Sequence, residues 1–186
     1  MHQAQIYLLV GLPGAGKTTR AKELELSAPA LRLTPDEWQI ALFGEENPAD
    51  KRDLVEGKLI EAGMRAAALG TDVVFDFGFW GTDERSALRW IAHAIGVHSQ
   101  VIYLPIEPEE QRRRTVDRFA KTPDQTFAMS EGELKQWRAQ FQAPDEAELL
   151  GAQIPQVPAG YETWSHWASV RWPSLPDQYC ASAPTR

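Results

Sequence analysis

The segment Gly11-Leu12-Pro13-Gly14-Ala15-Gly16-Lys17-Thr18 has the residue types and spacing for phosphate chemistry. It satisfies G-x-x-x-x-G-K-[ST] in full, directly after the apolar run Ile6-Tyr7-Leu8-Leu9-Val10 and before a helical pattern. Gly11, Gly14 and Gly16, with Pro13 and Ala15 between them, let the backbone curl so that successive N–H groups turn inward. The helix that follows adds its positive end. Lys17 is then placed to reach β- and γ-phosphates, the Thr18 hydroxyl suits Mg²⁺, and Thr19 completes the binding segment. A glycine-rich turn matching by accident is the alternative, on the order of one in a hundred for a chain of this size.

This loop implies a nucleoside triphosphate but not the reaction. Phosphoryl transfer, hydrolysis coupled to motion and GTP-dependent switching all use it. No guanine-reading N-K-x-D segment occurs, and motor ATPases are usually longer and ring-forming, which leaves a kinase as the favoured reading. Val73-Val74-Phe75-Asp76 is a buried-strand run ending in a carboxylate, as a Walker-B type strand would, so Asp76 is a candidate Mg²⁺ residue. It could instead cap the turn Phe77-Gly78-Phe79-Trp80-Gly81. Asp36 follows the second strand, where the crevice of a parallel sheet binds ligands, and is a candidate base for an acceptor hydroxyl. A helix dipole alone would also favour an acid there. Arg112, Arg113, Arg114 and Arg118 share one helix, with Arg114 and Arg118 four apart, and the polar stretch from Lys121 to Met129 follows. Such a helix can act as a lid over the migrating phosphoryl group, or its arginines can simply pair with Glu107, Glu109 and Glu110.

The elements that must position these residues are legible as punctuation. Apolar runs at Ile6 to Val10, Leu31 to Leu33, Val73 to Phe75 and Val101 to Leu104 alternate with helical spacing, which implies parallel strands joined by crossover helices. Thr34-Pro35-Asp36-Glu37 reads as an N-cap, a first-turn proline and a capping-box acid, and Asn47-Pro48 repeats the cap-then-proline pattern. Val55, Leu59, Ala62, Ala66 and Leu69 are expected on one buried helix face that stops at Gly70. Leu88, Ile91, Ala92 and Ile95 form a second such face, ending at Gly96. Pro108 opens the arginine helix, and Ser130 with Glu133 caps another before Leu134, Trp137, Arg138 and Phe141. From about Pro155 the prolines predict an irregular tail packed through Trp164, Trp167 and Trp172 and fraying after about Gln178, with an aromatic partner-binding surface as the alternative.

With 186 residues, 43% hydrophobic and 24% charged, the composition is that of a soluble globular domain. The net charge, 19 − 26 = −7, disfavours a general duplex-DNA binder while leaving a local basic groove open. The single cysteine, Cys180, excludes an intrachain disulfide and a thiolate metal site. No run is long enough for a signal core or a membrane span, so a cytoplasmic monomer or homodimer is expected.

Together the loop, Thr34-Pro35-Asp36, the Val-Val-Phe-Asp strand and the Arg114/Arg118 pair resemble the small P-loop kinases grouped as AAA-type predicted kinases. That group is similar to the kinase domain of polynucleotide 5′-hydroxyl kinases, and more distantly to zeta toxins, gluconate kinases and chloramphenicol phosphotransferases. The resemblance covers residues 5 to 150 or so and implies an α/β P-loop NTPase fold with a five-stranded parallel sheet in the order 2-3-1-4-5. It implies a kinase domain at 1–154 with an acceptor-binding insert at 34–71 and a lid at 112–141, leaving 155–186 as an extension. By position it makes Lys17 and Thr18 the phosphate and Mg²⁺ residues, Asp36 the acceptor-activating carboxylate, and Arg114 and Arg118 the lid arginines. Phe141-Gln142-Ala143-Pro144-Asp145-Glu146 is similar to the family's stretch bordering the base, with glutamine where glutamate is usual. The aromatic turn Phe77-Gly78-Phe79-Trp80 replaces an Asn- or Thr-bearing one, pointing to an acceptor pocket, and Arg85 is a candidate contact for a charged acceptor. The expectation is an ATP- and Mg²⁺-dependent kinase for a hydroxyl of a small molecule. A polynucleotide 5′-end kinase and a non-catalytic ATP-binding regulator are the other readings.

Overall fold

Each apolar run becomes a parallel strand in the computed structural model, which describes residues 3–44, 49–122 and 128–176. The strands are β1 (Gln5–Val10), β2 (Leu31–Leu33), β3 (Val73–Gly78) and β4 (His98–Tyr103), in the order β2-β3-β1-β4. β1 and β3 lie inside the sheet and are covered on both faces, which is why they read as continuous apolar runs rather than as alternation. β4 lies at an edge and begins three residues before its apolar run, since His98, Ser99 and Gln100 can hydrogen-bond in register while facing outward.

Helix α1 (Lys17–Ser27) packs Ala21 and Leu24 against Leu9 and Val74 on one face of the sheet. The larger core lies on the other face, beneath α3 (Ala49–Ala68), α4 (Thr82–Ala94) and α8 (Trp164–Arg171). Helix α2 (Pro35–Phe43) leads from β2 toward α3, and α5 (Pro108–Lys121) follows β4. Then come α6 (Glu131–Gln140), with Ser130 and Glu133 forming the expected capping box, and the short α7 (Glu146–Leu149). Among the described residues no helix is long and apolar enough to cross a membrane.

Four expectations differ from what is observed. Four strands are present among the described residues, and no fifth follows β4. Residues 153–158 run without strand pairing, since Pro155 and Pro158 cannot donate to a ladder; Ile154 and Val157 pack on the core instead. The buried face of α3 is Val55, Leu59, Ile60, Met64 and Ala67, whereas Ala62 is exposed and Leu69 is 87% exposed. The helix is turned because Gly63 meets the sheet: a Cβ there would lie 2.5 Å from Phe75 Cζ.

The third difference is Thr34, which has N-cap backbone geometry but makes no side-chain cap bond. Its hydroxyl accepts from Arg32 Nη1 at 2.5 Å, and Glu37 pairs with the same guanidinium at 2.9 and 3.0 Å, so the capping box is replaced by an arginine clamp. The proposed second cap, Asn47-Pro48, lies outside the described residues, as does Cys180.

The fourth is the tail, which was expected to be irregular but contains α8, while its tryptophans pack on the domain as expected. Trp172 is fully buried and donates from Nε1 to Glu56 at 3.0 Å, and Trp164 donates to the Pro155 carbonyl at 2.9 Å. Trp164, Trp167 and Trp172 meet edge to face at 5.9 and 6.0 Å, the geometry that the aromatic quadrupole favours. Gly57 makes this docking possible, because a Cβ there would stand 2.3 Å from Ser174 Oγ and 3.0 Å from the Leu175 nitrogen. Gly57→Ala is therefore expected to destabilise the fold by about 1–3 kcal/mol in urea unfolding and to alter the near-UV tryptophan signal. An unchanged midpoint would mean that residues 172–175 do not pack on α3.

Candidate active site

The phosphate loop occupies the connection between β1 and α1. Gly14 and Gly16 take φ of +82° and +94°, backbone that favours glycine, and Gly16 is the N-cap of α1. Helix α5 approaches the loop at Gly14: a Cβ there would be 3.3 Å from the Gln111 carbonyl oxygen and 3.4 Å from Thr115 Cγ2. Gly11 is held by its nitrogen to the Gly78 carbonyl oxygen at 3.1 Å, which ties the loop to the end of β3. There Leu8 pairs with Phe75 but Val10 with Gly78, so β3 accommodates one extra residue where it delivers Asp76. Bulges of this kind re-aim side chains next to active sites.

Lys17, Thr18, Asp36 and Asp76 line one cleft of about 530 Å³, together with Pro13, Thr34, Arg52 and Arg118. The Lys17 ammonium donates to the Leu12 carbonyl at 3.1 Å. Although part of its surface reaches the cleft, protein surrounds it, and desolvation lowers its pKa to about 8 against the opposing pull of Asp76 and Asp36. Burial likewise raises Asp76 to about 6, opposed by a hydrogen bond from Thr18 and by the Lys17 charge. The Thr34 hydroxyl lies 3.5 Å from Asp76 Oδ2. A hydroxyl beside a carboxylate at a phosphate loop is a hard-oxygen donor set that fits Mg²⁺. Among the described residues no three His, Cys, Asp or Glu side chains cluster into a cage.

Asp36 sits in the first turn of α2, its Oδ1 2.9 Å from Arg52 Nη1, and Arg52 also donates to Glu56 at 2.8 Å and to Gln39 at 3.1 Å. The two lid candidates separate. Arg118 lines the cleft, whereas Arg114 is paired with Glu110 at 2.5 Å and lies 3.4 Å from the Gly14 carbonyl. Arg113 shares Glu110, and Arg112 lies in a second, smaller cleft with Arg138. Thr19 is exposed and does not line the main cleft. The aromatic turn does line it, through Phe77, Phe79 and Trp80: Phe77 stacks on Phe79 at 5.0 Å and Trp80 meets Trp137 of α6 at 5.8 Å. Phe79 carries a φ of +37°, a strained value for a bulky residue.

Arg85 does not reach an acceptor; it is wholly buried behind that turn. It donates to the Phe79 and Gln142 carbonyls at 3.0 and 2.9 Å and forms a fork with Glu148 at 2.6 and 3.0 Å. Gln142 is part of the same clasp, with its nitrogen on the Trp80 carbonyl and its Oε1 on the Thr82 nitrogen. The strained turn is thus over-determined from behind. Sequence reasoning missed Arg52, Glu56, Glu84 and Arg171 as cleft residues. Only the i,i+4 spacing of Arg52 and Glu56 carried a signal.

The family model that matches this chain, described as an AAA domain, spans residues 6–144. The chain belongs to this family of P-loop kinases. Among solved structures it is similar to a protein of Chloroflexus aurantiacus provisionally described as a kinase, at 16% identity over 86% of this chain and 85% of that one, with a TM-score of 0.61. A gluconokinase from Sinorhizobium meliloti 1021 matches at 14% identity over 94% and 92%, with a TM-score of 0.54. A chain of the Pnkp1/Rnl/Hen1 RNA repair complex matches at 16% identity and a TM-score of 0.62, over 85% of this chain but only 49% of that one. At these identities the likeness is one of fold. No curated protein sequence matches the chain significantly.

The raised pKa of Asp76 sets a stability cost that can be measured. A group whose folded pKa lies above its unfolded value stabilises the fold below the unfolded pKa and loses that contribution as pH rises through the folded one. For Asp76 the loss therefore develops between about pH 4 and about pH 6. Asp76→Asn, which can still accept from Thr18, is expected to be more stable than the wild type at pH 7.5 by roughly 2–3 kcal/mol and nearly equal to it at pH 4. Chemical unfolding at the two pH values checks this; a variant less stable at pH 7.5 would contradict it.

Proposed function

We propose that this protein is an ATP- and Mg²⁺-dependent kinase that transfers the γ-phosphate to a hydroxyl of a small-molecule acceptor. The observation that carries the reading is one cleft joining the phosphate loop, Lys17 and Thr18, to carboxylates from two other elements, Asp76 of β3 and Asp36 of α2. The hydroxyl oxygen forms a bond to the γ-phosphorus, the bond from that phosphorus to the bridging oxygen breaks, and ADP leaves. Asp36 accepts the hydroxyl proton, with Arg52 on Oδ1 fixing the carboxylate's orientation. Lys17 offsets charge on the β- and γ-phosphates, and an anionic ligand beside it favours its protonated form. Arg118, on the cleft wall, is the lid arginine placed for the migrating group; Arg114 would have to leave Glu110 to join it. Thr18 and Asp76 would hold Mg²⁺, which when bound shields the phosphate charge.

The likeness to a chain of an RNA repair complex supports a second reading, a polynucleotide 5′-hydroxyl kinase. That activity calls for a basic strand-sized groove near Asp36. Arg52 does lie there, but with Glu56 on it, and the same wall carries Glu84. The regulator reading used the tryptophan tail as an exposed surface, and Trp164 and Trp172 are instead core residues. Both observations favour the small-molecule kinase.

Transfer of label from γ-labelled ATP to a pool of hydroxyl compounds, beside a 5′-hydroxyl oligonucleotide, tests the class, with Lys17→Ala as the blank. Asp36→Asn, whose amide oxygen still accepts from Arg52, is expected to lower kcat by roughly 10²–10⁴-fold while ATP affinity stays within about twofold. Turnover that survives this substitution would remove Asp36 from the mechanism.

A further inference from the structure

One wall of the cleft is built by α2, α3, α4 and α8, and its charges form a continuous network. Arg52 bridges Asp36 and Glu56 at 2.9 and 2.8 Å. Arg171, on α8, bridges Asp53 at 2.5 Å, Glu84 at 2.9 Å and Glu56 at 3.8 Å. Arg171 lies beyond residue 144, where the match to the family ends. Glu84 is held at both oxygens, one by Arg171 and one by the Gly81 nitrogen at 3.1 Å, so its position depends on α8 as well as on its own helix.

We propose, on the basis of the kinase reading above, that Arg171 is a specificity-determining residue. The network it completes selects an acceptor that is neutral or positively charged and carries a flat apolar part. On this wall two guanidinium groups face three carboxylates, Asp36, Glu56 and Glu84, and Arg171 is paired as well with Asp53 beside the cleft, so each cation already has its anionic partners. A carboxylate or phosphate on the acceptor would have to break an existing ion pair to gain a cation, and would meet like charge while doing so. A hydroxyl or ammonium instead donates to carboxylate oxygens already held in place. The cleft also has an aromatic surface, with Trp80 and Trp137 tilted at 47° and Phe79 lining it too, which stacks on a flat apolar group and attracts a cation. The cleft volume of about 530 Å³ is that of a small-molecule site.

The test uses the full chain and labelled ATP with two pools of equal total concentration. One holds hydroxyl compounds that are uncharged or bear an amine; the other holds hydroxyl compounds bearing a carboxylate or phosphate. Label is expected in the first pool by at least roughly tenfold over the second. With the acceptor so found, Arg171→Gln is expected to raise its KM roughly tenfold with KM for ATP unchanged, and Arg171→Lys to recover part of the loss. Glu84→Gln keeps an oxygen for the Gly81 nitrogen but removes a charge, and is expected to relax discrimination against the acidic pool roughly fivefold. Near-UV circular dichroism establishes that each variant is folded. Label favouring the acidic pool overturns the proposal, as does an unchanged acceptor KM in folded Arg171→Gln. Label in neither pool, with ATP bound, overturns the kinase reading itself and the acceptor class with it.

Discussion

Asp76 is an acidic group within a strand buried along its whole length, two residues before its end, and much of the site is arranged around keeping its charge tolerable. An isolated carboxylate in such a place would take up a proton. Thr18 donates to it, Lys17 lies within its field, and the Thr34 hydroxyl is at the edge of hydrogen-bond range. Those three come from the start of α1 and the end of β2, so the charge couples the phosphate loop to the strands on either side of β3. The extra residue in β3 and the Gly11 to Gly78 bond fix that meeting point. The arrangement stores a stability deficit where a bound cation and an anionic nucleotide would relieve it, the usual relation between stability and activity.

Around this centre the fold builds two supporting shells with different chemistry. Behind the aromatic turn, Arg85 and Gln142 satisfy its carbonyls and hold Phe79 in a backbone conformation that it would not adopt alone. A buried guanidinium suits this position because its planar fork of donors can satisfy several carbonyls and a carboxylate together. On the other side, Arg32 replaces the expected helix cap, pairing with Glu37 and Glu25 while donating to Thr34. In both places an arginine organises backbone beside the cleft.

The tryptophan segment packs into the same body as the phosphate-loop fold. Its side chains enter the main core, its helix packs on α4, and Arg171 joins residues of α3 and α4. Trp172 and Arg171 both engage Glu56, one from within the core and one from the cleft, so the helix is anchored to the wall that it helps to charge. The family fold and this additional helix share one hydrophobic core.

By itself the sequence determined the chemistry whose parts are contiguous. The phosphate loop was legible because its glycines, lysine and threonine act through local backbone geometry, and the parallel sheet followed from helices linking apolar runs, while the strand order came from the family resemblance. Ser130 and Glu133 were legible as a cap for the same reason, since both partners lie within one turn. Tertiary structure decided what depends on packing between distant segments. Gly63 turned the face of α3, the described residues hold four strands where five were expected, and Arg85 went behind the site instead of into it. Glu84 and Arg171 are 87 residues apart and carry no periodic signal that would join them. Their pairing exists only because the core draws α8 onto α4, and burial, which sets both the Asp76 and Lys17 pKa values, is a property of the packed chain alone.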